Sequence, residues 1–100
     1  MDEDIKLNFE TFAANLNTSF RVTSEEGPIV ELRLIVANDK SVPRQEMFSL
    51  IFIGPDQTFL PQRNYSIEHD QIGAFALFIV PIGRDEDGYQ YEAVFNRIRN

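Results

Sequence analysis

The residues of this chain that could do chemistry are few and scattered. His69 is its single histidine, and with Ser66 and Asp70 it supplies the residue types of a hydrolytic triad. No Gly-x-Ser-x-Gly elbow presents the serine, and near neighbours on one strand point apart, so the three do not converge. A hydrogen-bonded surface histidine is the expectation. One histidine and no cysteine exclude a multi-histidine centre, a thiolate nucleophile, cysteine-ligated zinc and disulfides within one chain. Asp85, Glu86 and Asp87 could attract calcium, but the further oxygen ligands of a calcium loop are missing, and Asp87-Gly88 is a standard hairpin turn pair. Carboxylate pairs for glycosidic chemistry exist by number only, since nothing marks an acid held in an apolar pocket. Phosphate-cradling glycine motifs and a dinucleotide-binding fingerprint are absent. Asn17-Thr18-Ser19 and Asn64-Tyr65-Ser66 match the glycosylation pattern by residue type, as chance matches do. The sequence therefore predicts no catalytic, cofactor-binding or metal-ligating residues, no cofactor, and a non-enzymatic role.

The charge balance bears on partners. The formal net charge is -7 and the isoelectric point is near 4.5, which repels phosphate backbones unless the nine basic residues cluster on one face. They do not cluster: Arg21, Arg33, Lys40, Arg44, Arg63 and Arg84 are spread along the chain, and only Arg97 and Arg99 sit close together. Tyr65, Tyr89, Tyr91 and the abundant phenylalanines could form a stacking platform for bases, but the positive groove that accompanies one is missing, and core filling accounts for the rings. Nucleic acid is not an expected partner. The acidic start, Met1-Asp2-Glu3-Asp4, is the opposite of a basic secretory signal, and no apolar run approaches membrane-spanning length. The expectation is a soluble, cytoplasmic, bacterial-type protein without a membrane partner.

The elements that must position these residues read as mainly β. A single domain over residues 1–100, with an ordered core of about 5–98, suits the length and composition. Asn8 to Leu16 has apolar residues at Phe9, Phe12, Ala13 and Leu16, helical spacing over about two turns, with Asn8 as N-cap, Glu10 in the first turn and Leu7 placed to staple onto Phe12. Its apolar stripe should plug an open end or face of the β structure. Asn17 to Thr23 and Ile29 to Val36 alternate as a hairpin, with Val30, Leu32, Leu34 and Val36 inward. Gln45 to Ile53 is apolar on both faces, Phe59-Leu60-Pro61 reads as a buried connector, and Tyr65 to His69 as a short strand. Gly73 to Gly83 is again apolar on both faces, and the turn at Asp85 to Gly88 returns it antiparallel into Tyr89 to Asn96. A short helix and five to six strands at turn spacing, without strand-helix-strand alternation, predict a small, strongly bent antiparallel barrel.

Several stretches carry a resemblance: Phe12 and Leu16 to Phe20; Phe48-Ser49-Leu50-Ile51-Phe52; Gln62-x-x-Tyr65-x-Ile67-x-His69; Gly73-x-Phe75-x-Leu77-Phe78-Ile79-Val80-Pro81-Ile82-Gly83; and Tyr91-Glu92-Ala93-Val94-Phe95-Asn96. Together they resemble a bacterial domain-of-unknown-function family of about this length. The resemblance implies the fold of a short helix followed by a bent antiparallel barrel, a variant of the Sm-like or SH3-like kind, and it implies no activity for any residue. A glycine is common in that family about where Asn17 stands, so the resemblance implies a different helix-to-strand junction here. The barrel also resembles Sm-like rings that bind RNA, although their Asp-x-x-Asn loop and Arg-Gly pair are not present, and a shared barrel does not carry a shared role.

One barrel has one interior. Val30, Leu32, Leu34, Phe48, Leu50, Phe52, Phe75, Leu77, Tyr91 and Phe95 can fill it, which leaves Met47, Ile51, Ile53, Phe78 and Val80 facing outward. The helix can shield some of these, but it is too short to span both strands. The remainder predicts an interface, formed in a homo-oligomer with a dimer favoured, or with a protein partner. A non-enzymatic interaction or self-assembly module, a component of a larger bacterial assembly, is thus the leading expectation. An RNA-binding Sm-like barrel and a small hydrolase stand behind it.

Overall fold

The computed structural model describes residues 7–98. The acidic Met1 to Asp4, the first two residues of the expected core and Arg99 lie outside the described residues. Helix α1 spans Phe9–Ala13, and Asn8 caps it as predicted, its side-chain oxygen accepting the Thr11 N–H at 2.9 Å. The helix is shorter than the apolar spacing suggests, because the chain tightens after Ala13. Asn15 N–H bonds to Phe12 O at 2.9 Å and Leu16 N–H to Ala13 O at 3.4 Å, the i→i−3 pattern of a closing turn. Asn17 then adopts φ 67°, and its N–H donates to Leu34 O at 2.7 Å.

Asparagine at position 17 therefore holds the left-handed conformation that glycine holds most easily. Asn17→Val should cost about 1–2 kcal/mol, as expected for a β-branched residue forced to positive φ, whereas Asn17→Gly should be close to neutral. Urea unfolding of the two variants checks this: equal losses would mean that the side chain, not the backbone, matters there.

Six strands follow: β1 Ser19–Ser24, β2 Gly27–Asp39, β3 Gln45–Gly54, β4 Arg63–His69, β5 Gly73–Asp85 and β6 Gly88–Ile98. All pairings are antiparallel, in the order β1-β2-β3-β6-β5-β4, and β4 returns to β1, so one sheet closes into a ring. Closure leaves a single interior, and alternation along each strand decides which side chains enter it. All ten residues expected to fill the interior do so, Phe75 and Phe95 being half-buried and the others buried. Phe12, Phe20, Val22, Leu60, Tyr65, Ile67, Ile79 and Ala93 complete the core.

Three irregularities bend the ring, between Val22 and Thr23, Leu34 and Val36, and Pro81 and Gly83. The second corrects the reading of Val36 as inward: the extra residue reverses the alternation, leaving Val36 exposed while Ala37 packs against the core. β5 also changes partner along its length. Gly73 to Ile79 pair with β4, and Val80 to Asp85 pair with β6.

Both ends of the ring are filled. At one, Phe12 is fully buried among Phe20, Phe48, Phe75 and Phe95, with ring centroids 5.5–6.2 Å away. The helix thus plugs the interior, as its apolar stripe predicts. The expectation that it also screens the outward residues of β3 and β5 is incorrect, because its apolar side chains are spent inside. At the other end the segment between β3 and β4 folds over the opening. Only Leu60 of the expected connector is buried; Phe59 is half-exposed against Tyr89, and Pro61 is exposed. Tyr91 accepts the Leu60 N–H at 3.1 Å, and Tyr65 donates to Pro61 O at 2.6 Å, which ties this second plug to β6 and β4.

Candidate functional site

The five outward residues predicted as an interface all lie on the outside of the ring, because their neighbours along the strand, Phe48, Leu50, Phe52, Leu77 and Ile79, are buried within it. Met47, Ile51 and Ile53 share the outer face of β3, and Phe78 and Val80 that of β5. Phe78 is 48% exposed, and the other four are half-buried. The two groups are not adjacent. β6 runs between them, and register places Glu92 opposite both Ile51 and Val80, and Gln90 opposite Ile53.

Two apolar residues that sequence reasoning missed extend this wall. Val36 stands opposite Ile51 because of the β2 bulge, and Val94 on β6 stands opposite Ser49 with 66% of its surface exposed. Val94 was readable, since Tyr91, Ala93 and Phe95 facing inward leaves Gln90, Glu92 and Val94 outward. Nothing in the local sequence marks the bulge that turns Val36. Met47, Ile51, Val36 and Val94 thus form an apolar field on one side of Glu92, with Val80 and Phe78 beyond it.

His69 is 4% exposed, which corrects its reading as a surface residue. Tyr65, Ile67 and His69 occupy one face of β4, and that face is the interior. Ser66, on the opposite face, is exposed, so the two are separated by the strand. The imidazole is fully engaged. Its Nδ1 accepts the N–H groups of Gln71 at 3.0 Å and Ile72 at 3.3 Å, and its Nε2 lies 2.7 Å from Thr18 Oγ1. Two donors at Nδ1 fix the neutral tautomer with its proton on Nε2. Thr18 Oγ1 accepts that proton's hydrogen bond and donates to Asn15 O at 2.6 Å. The pair looks like a hydroxyl nucleophile beside its base, but the imidazole nitrogen facing the hydroxyl already carries a proton and cannot remove another. Burial holds the His69 pKa below its ordinary value, with Arg21 acting in the same direction and Asp70 against it.

The acidic turn is occupied by its own backbone. One Asp85 oxygen accepts the Asp87 N–H and the other the Gln90 side chain, both at 2.8 Å. Gly88, at φ 132°, has no room for a side chain, because a Cβ there would collide with the Gly54 carbonyl. Of the three tyrosines offered as a stacking platform, Tyr65 and Tyr91 are buried, and burial pushes both hydroxyls above the usual tyrosine pKa. A cleft of about 430 Å³ opens between the β1–β2 turn and the start of β4, lined by Ser24, Glu25, Ile29, Arg63 and Asn64 among others. Arg63 there lies over the Tyr65 ring at 5.4 Å.

Comparison with known proteins bears on the whole ring. The family described as Domain of unknown function (DUF6916) matches residues 7–95. No curated protein and no solved structure matches the chain. Since the match runs from the residue before the N-cap to the last core residue of β6, the chain belongs to the Domain of unknown function (DUF6916) family.

Proposed function

We propose that the protein is a cytoplasmic, non-enzymatic interaction module, a small bent barrel of the Sm-like or SH3-like kind that self-associates through the outer wall of β3, β6 and β5. The observation that carries this reading is the wall itself. Met47, Ile51, Ile53, Phe78 and Val80, joined by Val36 and Val94, face away from the interior, and no element of the described chain packs over them. Apolar fields of this kind on otherwise acidic surfaces mark contact sites. A two-fold pairing of identical walls is the simplest way to cover one. The same wall could serve a protein partner within a larger assembly.

Light scattering at micromolar concentration tests the reading. The native chain is expected to show the mass of at least two protomers, and Ile51→Glu or Phe78→Glu to lower it while leaving the folded spectrum intact. A carboxylate in the centre of a contact is left desolvated without a partner, which typically costs several kcal/mol and is enough to abolish a micromolar dimer. A native monomer unchanged by either substitution would sink the proposal. RNA binding is disfavoured by the buried Tyr65 and Tyr91 and by the charge of -7. Salt-dependent binding of single-stranded RNA at low micromolar concentration would replace the proposal with the Sm-like alternative.

A further inference from the structure

β6 is paired with β3 along its whole length, from Tyr89 opposite Gly54 to Ile98 opposite Gln45. On its other side it is paired with β5 only as far as Glu92, opposite Val80. Toward its own start β5 pairs with β4 instead. Residues 93–98 therefore present one side of their backbone with no strand against it among the described residues. Such an edge is a template for another strand, and proteins usually guard it with proline, a bulge or free charge. None of these guards is present here. The stretch has no proline, and its Arg97 is held by Glu46 at 2.9 Å and by the Leu7 carbonyl. Its outward side chains include Val94 and Ile98, which at 66% and 74% are the two most exposed large apolar residues of the described chain.

We propose that this edge pairs antiparallel with the same edge of a second copy, about a two-fold axis at Asn96. The contact uses the edge of β6 rather than its outer face, shares only Val94 with the wall, and goes beyond the reading above. A two-fold axis perpendicular to a sheet keeps each residue on its own face, so the choice is among axes at individual residues. An axis at Arg97 would set two guanidinium groups directly opposite each other. An axis at Phe95 would bring Ile98 of the second copy against Glu92, where β5 is already paired. An axis at Asn96 fits the free stretch. Val94 then stands opposite the second copy's Ile98, so the two most exposed apolar side chains cover one another. Phe95 stands opposite the second copy's Arg97, repeating across the seam the cation–π approach that the two make within one chain at 5.9 Å. No like charges oppose each other. The wall contact alone gives a dimer; with the edge contact added each chain meets two partners, so the assembly is larger than a dimer.

The chain has no cysteine, so a single introduced thiol reports on the seam alone. Directly opposite residues of antiparallel strands lie about 4.5–5.5 Å apart at Cα, within the span of a disulfide. Asn96→Cys should link two chains under mild oxidation, in the native background and equally in the Ile51→Glu background that has lost the wall contact. Glu31→Cys, on the outer face of β2, should link at least tenfold more slowly. Adding Val94→Lys and Ile98→Lys should slow the Asn96→Cys link at least tenfold. Asn96→Cys linking no faster than Glu31→Cys, in chains whose thermal melts match the parent, overturns the proposal. So does linking that appears only after residues 1–6 are removed, because the chain's own start would then hold the edge. Failure of Ile51→Glu to lower the mass strikes the wall reading and leaves the seam standing.

Discussion

Phe12→Ala is expected to remove about 3–5 kcal/mol of stability, the range for emptying a fully buried aromatic site. Domains of this size hold about 5–15 kcal/mol in total, so the loss is a large share of what keeps the ring folded. Helix α1 has only five residues and no stability of its own. It is held by what Phe12 buries, and Phe12 is held by four rings from four strands, Phe20 of β1, Phe48 of β3, Phe75 of β5 and Phe95 of β6. Alanine therefore leaves a cavity that those rings cannot close without moving strands already fixed by their hydrogen bonds. At about 4–8 °C per kcal/mol for a domain of this length, the melting temperature should fall by about 12 °C or more. Phe9→Ala should cost clearly less, since Phe9 is only half-buried and meets Phe48 alone among the rings, at 6.1 Å. Urea unfolding of the two variants decides it. A loss below about 1.5 kcal/mol at Phe12 would mean that the helix merely lies on the ring rather than plugging it.

That plug was legible because two periods met in one sequence. Phe9, Phe12, Ala13 and Leu16 recur at helical spacing, and the strands after them alternate, so an apolar stripe and a hollow interior were both predicted. β3 and β5 were legible as two-faced strands for the same reason, and their outward residues followed by subtraction from a single interior. The bulge between Leu34 and Val36 was not legible, because no local residue type announces the register shift between β2 and β3. The length of the helix was not legible either. Its end is set at Asn17, where a tertiary hydrogen bond to Leu34 O and a positive φ replace the next helical turn. The burial of His69 had a signal that was outweighed by residue type. It alternates in phase with Tyr65 and Ile67, and both of those face the core.

The buried His69 makes the fold sensitive to acid. In the folded chain its pKa lies below the ordinary value of about 6.5 because burial disfavours the imidazolium, with Arg21 adding to the effect and Asp70 opposing it. Arg21 and Asp70 are themselves joined at 3.0 Å, so the pair presents little net charge to the ring. The unfolded chain therefore takes up a proton at a higher pH than the folded one. The contribution of His69 to stability is fully present above about pH 6.5 and is lost as pH falls through the folded pKa, by at most about 1.4 kcal/mol per pH unit for one proton. The hydrogen bonds give the structural reason. A proton on Nδ1 would confront the N–H groups of Gln71 and Ile72 with a third donor, and the turn from β4 to β5 would have to give way. Thr18, held through Nε2, ties the same ring to the junction between α1 and β1, so the helix end loosens with the turn. Because His69 is the only histidine, its imidazole resonances can be followed alone by NMR, and they should titrate below pH 6.5 in the folded chain. Stability measured by urea between pH 7.5 and pH 5 should fall in the native chain and stay nearly level in His69→Gln, whose side chain can both accept and donate but does not titrate. An imidazole titrating above 6.5, or parallel stability curves for the two chains, would show that the ring tolerates the charge and that the acid-labile element lies elsewhere.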